Sequence, residues 1–258
     1  MKGSIIALQK LSFSYRTHGE PVLRSLSLDL EEGQATAVLG PNGVGKTTLL
    51  YLLLGWLSHK GGSIMLDGRP LHSYSQRERG KWMSLVPQQE HIPFEYSMLE
   101  YVLLGRTPYL RPLESPGEGD ILIGSQALTS VGLDPDDKRP ITKFSGGELQ
   151  LLKIARALTQ QPRIILLDEP TSHLDLRNKR MIVDIMRKQA AEGTTLLFTT
   201  HDPEVASACA GRIVLMRDGT VLSTGTVHEM MQEGLLSETY GSDIIVSEVR
   251  GKRVTLWF

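Results

Sequence analysis

The stretch Ala35-Thr36-Ala37-Val38-Leu39-Gly40-Pro41-Asn42-Gly43-Val44-Gly45-Lys46-Thr47-Thr48 decides the fold. It opens on a short, nearly continuous apolar run, as a strand buried on both faces reads. The rest fits G-x-x-x-x-G-K-[ST], and a run of strong helix formers, Thr48 to Leu54, continues it. Strand, glycine-rich turn and helix are what phosphate binding requires. Glycine lets the backbone fold back so that successive N–H groups point into one concavity. The helix start adds further N–H groups and the positive end of its dipole. Gly40, Pro41, Asn42, Gly43 and Gly45 would form the cradle, closed by Thr48. Lys46 would bring a mobile positive charge to the β- and γ-phosphates of a nucleotide, and the Thr47 hydroxyl is placed to ligate Mg²⁺. Ordinary residue frequencies produce this pattern by accident in roughly one chain in a hundred of this length. The strand and helix that flank it reduce that further.

A phosphate loop needs a metal partner, and one lies downstream. Arg163-Ile164-Ile165-Leu166-Leu167-Asp168-Glu169-Pro170 is an apolar strand ending in two acids. Carboxylates at the C-terminal edge of a parallel sheet stand where open α/β folds bind their ligands. Asp168 would hold Mg²⁺ through its water shell, and Glu169 is the natural group to polarise an attacking water.

Outward from these two strands the chain alternates. Trp82 to Val86, Leu196 to Thr199 and Ile213 to Met216 read as further buried strands, separated by stretches of helical length. That alternation predicts an α/β fold with a parallel sheet at its core. The N-terminal part differs: Ile5 to Leu8 with Leu11 to Phe13, and Leu26-Ser27-Leu28-Asp29-Leu30, alternate like half-solvated antiparallel strands. A smaller antiparallel β layer is therefore expected. From about Gln89 to Pro162 the strand signal disappears, and Ser97 to Leu104, Asp120 to Val131 and Gly147 to Leu158 read as helices. The expected organisation is a core from 1–88 and 161–233, a helical insertion at 89–160, and a tail at 234–258 that ends in a hairpin turning at Arg250-Gly251-Lys252.

Composition agrees with one large domain carrying an insertion. The chain has 258 residues, 40% of them hydrophobic, and a net charge of −1, so no basic footprint for nucleic acid is present. The single cysteine, Cys209, lies in Val205-Ala-Ser-Ala-Cys-Ala210 and reads as a small buried apolar residue in a reducing compartment. Met1-Lys2-Gly3-Ser4 does not open a secretory signal. The greasiest run, Leu49 to Leu57, falls well short of the roughly 20 residues that span a bilayer.

Loop and acidic strand alone leave kinases, helicases and GTPases open. Phe144-Ser145-Gly146-Gly147-Glu148-Leu149-Gln150 narrows the choice, because Ser-Gly-Gly at a helix start is a second anion-binding nest. It resembles the LSGGQ signature of the ATP-binding-cassette family. Gln88 after Leu85-Val86-Pro87 is similar to that family's Q-loop, Ser172-His173-Leu174-Asp175 to its D-loop, and His201 after Thr199-Thr200 to its switch histidine. The resemblance runs from Tyr15 to at least Gly225 and implies a P-loop NTPase (RecA-like) core. It further implies that Tyr15 stacks on adenine, His201 contacts the γ-phosphate, and Gln88 senses Mg²⁺ and nucleotide. Two ATP molecules would be sandwiched in a head-to-tail homodimer, each capped by Ser145, Gly146 and Gly147 of the other copy, with Asp175 coupling the two sites. Phe144 and Glu148 depart from the usual Leu and Gln, so the Glu148 carboxylate must point away from phosphate. His173 replaces a more usual small residue.

One cassette, one short insertion and no long coiled coil favour a transport ATPase over soluble cassettes of DNA repair or translation. The resemblance implies a peripheral subunit at the cytoplasmic face of the inner membrane, serving separate permease chains and, through them, a substrate-binding protein. Leu103-Leu104-Gly105-Arg106-Thr107-Pro108-Tyr109 and the segment Gly225 to Gly241 are similar to ATPases of iron-siderophore, haem and cobalamin importers; molybdate and other metal-anion importers are of related build. Apolar residues from Gln89 to Tyr109, among them Phe94, Tyr96 and Met98, would either receive the permease or pack inward.

Overall fold

A computed structural model describes residues 3–17, 19–249 and 252–257. The chain forms two compact units, one from 1–74 with 186–258 and the other from 75–185.

The first unit opens on β1 (Ser4–Phe13), β2 (Leu23–Glu31), β3 (Ala35–Leu39), α1 (Lys46–Leu53), β4 (Gly61–Leu66) and β5 (Arg69–Pro70). β2, β1, β4 and β5 form an antiparallel sheet in that order. β2 alternates buried Leu26, Leu28 and Leu30 with exposed neighbours, as its sequence predicts. β3 is buried along its whole length.

The second unit holds α2 (Gln76–Trp82), β6 (Met83–Val86), α3 (Met98–Leu103), α4 (Glu118–Ser130), α5 (Gly146–Thr159) and β7 (Ile164–Asp168), with β6 and β7 parallel. Polar residues set the helix starts. Ser75 with Glu78, Ser97 with Glu100 and Ser145 with Glu148 each form a reciprocal capping box. Arg106 anchors α4 to α5: buried, it donates to Asp120 Oδ1 (2.7 Å), the Thr159 carbonyl and Gln161, and lies over the Tyr109 ring.

α6 (Leu176–Ala191) leads into the rest of the first unit: β8 (Thr195–Thr200), α7 (Pro203–Cys209), β9 (Arg212–Arg217), β10 (Thr220–Thr226), α8 (Val227–Met230), α9 (Glu233–Tyr240), β11 (Ile244–Val249) and β12 (Lys252–Trp257). β3 pairs parallel with both β8 and β9, so the expected parallel core stands beside the antiparallel layer. β11 and β12 pair antiparallel as the expected hairpin; its turn residues Arg250 and Gly251 lie outside the described residues. Cys209 is buried, donates to the Val205 carbonyl, and burial pushes its thiol up to about 12. No helix of the described residues is long and apolar enough to cross a membrane.

Candidate nucleotide site

β3 ends at Leu39 and α1 begins at Lys46, so Gly40 to Gly45 make the expected turn. Two glycines have distinct physical reasons. A Cβ on Gly40 would lie 2.4 Å from the Met216 carbonyl of β9, so only glycine lets the loop leave the sheet there. Gly45 has φ +104, closed to side chains, and contributes no side-chain cap to α1. The N-terminus of α1 is therefore built from backbone N–H groups beneath the loop. Lys46 is buried, and its ammonium donates to the carbonyls of Gly40 (2.7 Å) and Pro41 (3.1 Å), which place the cation within the loop. Asn42 and Gly43 are exposed at the rim, while Thr47 is half-buried and Thr48 buried.

Tyr15 and His201 belong to the same unit. The phenol of Tyr15 bonds Thr48 Oγ1 at 3.0 Å, its ring is exposed, and it meets Phe13 edge-on at 4.9 Å. A free aromatic face beside the phosphate loop is suited to a base. His201 is exposed immediately after β8 and before the N-cap of α7, Asp202, whose carboxylate accepts from Glu204 N and Val205 N.

In the second unit β7 ends on Asp168 and Glu169 follows directly; they are only 3% and 7% exposed. Glu169 has φ +47, a conformation side chains rarely adopt and one that tends to persist at functional positions. His173 also sits in the left-handed region, at φ +60. Histidine is among the few residue types enriched there, which gives this departure its physical reason. Asp175 N-caps α6: its carboxylate accepts from Asn178 N at 2.8 Å. Gln88 is half-buried just past β6.

The nest at Ser145, Gly146 and Gly147 opens α5, with Ser145 and Gly146 exposed. Glu148 has a definite place in it. Its Oε2 accepts from Ser145 N at 2.8 Å, and its Oε1 takes Arg139 Nη2 at 2.9 Å. The capping bond to Ser145 and the Arg139 guanidinium hold this carboxyl below the usual carboxylate range. Arg139 also lies 4.8 Å from the centre of the Phe144 ring. Both departures from the usual signature thus meet on one arginine, which offsets the negative charge that Glu148 brings.

Sequence reasoning missed Arg139, Lys153 and Tyr240. Lys153 Nζ donates from α5 to the Gln88 carbonyl (3.3 Å) and lies 3.5 Å from that of Pro87. One turn on, Arg156 pairs with Glu90, which also accepts from Tyr101 of α3 at 2.7 Å. Burial pushes Lys153 below its ordinary value. A lone lysine in the buried run Leu151-Leu152-Lys153-Ile154 is the signal that could have found it. Arg139 pairs locally with Asp137, and nothing in that pairing marks its reach to Glu148, nine residues on; nothing local marks Tyr240 either, whose partner His201 is 39 residues away. Of the apolar residues between Gln89 and Tyr109, Phe94 is 62% exposed and Tyr96 half-buried against it, but Met98 is 1% exposed. Met98 is the first residue of α3 and packs inward, which removes it from any partner surface.

Among the described residues, no group of three His, Cys, Asp or Glu side chains could hold a metal. The Thr47 hydroxyl in the first unit, and the Asp168 carboxylate and Gln88 amide in the second, each offer a hard oxygen, the donor type that suits Mg²⁺.

The family model described as ABC transporter matches residues 23–172, more than half of the chain. The hemin import ATP-binding protein HmuV of Rhodococcus jostii (strain RHA1) is 34% identical over 230 residues, 89% of this chain and 78% of that protein. Among solved structures, a chain of an inward-facing ABC transporter of metal-chelate type matches with a TM-score of 0.84 and 31% identity, covering 99% of this chain and 96% of that one. A cassette solved as a dimer in a post-hydrolysis state, bound to ADP and Pi, matches with a TM-score of 0.75 and 28% identity over 86% of this chain and 98% of its own. A phosphate loop, an acid-ended strand and a second glycine nest on this fold have one account: the chain belongs to the ABC transporter family, as an ATPase.

Proposed function

We propose that this chain powers uptake of haem or a chemically related metal chelate through separate permease chains. The similarity over 99% of its length to a metal-chelate type transporter carries this reading, and relatives named for hemin import support it. The chain would act as a peripheral subunit at the cytoplasmic face of the membrane, with a substrate-binding protein delivering the chelate.

The residue chemistry gives the cycle. The N–H groups of Gly40 to Thr48 receive the phosphates, Lys46 neutralises charge at the β- and γ-positions, and Tyr15 stacks on adenine. Thr47, Asp168 and Gln88 would hold Mg²⁺, which when bound offsets charge on the phosphate oxygens. Glu169 orients a water and draws its proton as the oxygen attacks the γ-phosphorus, whose bond to the β–γ bridging oxygen breaks so that ADP leaves with the electron pair; His201 donates to a γ-phosphate oxygen. Ser145, Gly146 and Gly147 of a second copy cap that phosphate, so two ATP molecules hold a head-to-tail homodimer closed, with Asp175 coupling them. The dimeric ADP-and-Pi cassette supports this assembly. Hydrolysis removes the bridge and lets the copies part, which is the stroke passed to the permease.

Capture of the tagged chain from native membranes in mild detergent tests this. Recovery of a many-helix permease whose cargo is a metal chelate is expected; recovery of soluble partners or nucleic acid alone would overturn the transport reading.

A further inference from the structure

The geometry points to Tyr240 as a positioning residue for His201, through which the C-terminal segment controls turnover. The Tyr240 phenol donates to the His201 carbonyl at 2.8 Å. The N–H of that same peptide unit, on Asp202, donates to Thr200 Oγ1 at 3.0 Å. Both polar groups of the peptide that follows His201 are thereby fixed, one by the buried end of β8 and the other from the far end of the chain. The plane of that peptide sets ψ of His201, and with it the direction in which the imidazole leaves the backbone.

Tyr240 is itself held firmly. It closes α9, whose Leu236 and Thr239 are buried. Arg217 of β9 donates to the Glu238 carbonyl. Gly241, at φ +67, caps the helix by donating to the Ser237 carbonyl at 2.8 Å. Ser237 Oγ in turn accepts from Ile244 N at 3.0 Å, and Glu233 accepts from Val246 N at 3.0 Å, so α9 and the β11–β12 hairpin form one anchored piece. A displacement of this piece would be felt at His201 through a single hydrogen bond. The inference rests on the proposed contact of His201 with the γ-phosphate.

The test is a double-mutant cycle on the full-length chain, with Mg·ATP turnover, thermal melting and histidine ring NMR as readouts. Tyr240→Phe keeps the ring and removes only the donor. It is expected to lower kcat about three- to tenfold with KM for ATP unchanged, as loss of one hydrogen bond acting in the transition state would. The His201 resonance, assigned with His201→Ala, should shift, while the melting midpoint stays within about 2 °C. Tyr240→Phe added to His201→Ala should cost less than about twofold more. A slow His201→Ala beside a Tyr240→Phe at wild-type rate overturns the positioning role and leaves the His201 assignment standing. Additive losses in the double variant overturn it as well, since Tyr240 would then act by another route. A His201→Ala protein at wild-type rate overturns the assignment of His201, and this inference with it.

Discussion

In the proposed cycle Glu169 and Glu148 are two carboxylates with opposite duties, and their surroundings separate them. Glu169 is buried in a left-handed conformation at the end of β7, where an orienting base is wanted. Glu169→Gln should therefore bind ATP normally and lose turnover by about a hundredfold or more; nucleotide binding and phosphate release, measured on one preparation, check this. Glu148 is a structural acid at the third position of α5, bound to Ser145 N and Arg139. Its folded-state value is depressed, so its contribution is present above the ordinary carboxylate value of 4.5 and is lost as pH falls through the lower folded value. Melting curves of wild type and Glu148→Gln should differ at neutral pH and converge on the acid side, with turnover retained. A large loss of turnover would instead place the Glu148 carboxylate in the nucleotide chemistry. The candidate site residues were legible as types at fixed spacings after a strand or before a helix. Arg139 was not, because the charge that offsets Glu148 comes from a loop nine residues upstream.

At the level of elements, the helical unit is held by buried cations whose partners come from distant positions. Arg106 ties the middle of the Leu103 to Tyr109 stretch to α4 and α5. Arg106→Met strands Asp120 and the Thr159 carbonyl, and is expected to lower unfolding stability by about 2–4 kcal/mol, read by denaturant titration. Lys153 and Arg156, one turn apart on α5, hold the segment from Pro87 to Glu90, so the helix that opens with the signature also carries the Q-loop. Lys153→Met should reduce kcat several-fold with ATP binding intact, and Lys153→Arg should restore part of it; equal losses in both would count against a tie through the Gln88 carbonyl. Buried strands such as β3, β7 and β8 were legible because continuous apolar runs have few other readings. β4, β10 and α2 were not. Gly61-Gly62-Ser63-Ile64-Met65-Leu66 is short and glycine-led, Thr220 to Thr226 is largely polar, and Gln76 to Trp82 has no apolar stripe. Their places come from pairing and capping contacts that a linear pattern does not show.

For the whole molecule, the family places ATP hydrolysis in this chain, and the proposed function places its purpose in a membrane partner. A head-to-tail pair closed on two nucleotides should form with ATP and persist where hydrolysis is blocked. Glu169→Gln is thus expected to sediment as a dimer with Mg·ATP and as a monomer with ADP. A variant that stays monomeric with ATP bound would contradict the sandwich. The most direct test of the central claim is uptake of a haem-class chelate, offered on its substrate-binding protein, into vesicles carrying the captured permease and this subunit. ATP-dependent accumulation with the wild-type chain, abolished by Glu169→Gln, is the predicted result. Uptake that continues with Glu169→Gln, or brisk ATP turnover with no chelate moved, would contradict it.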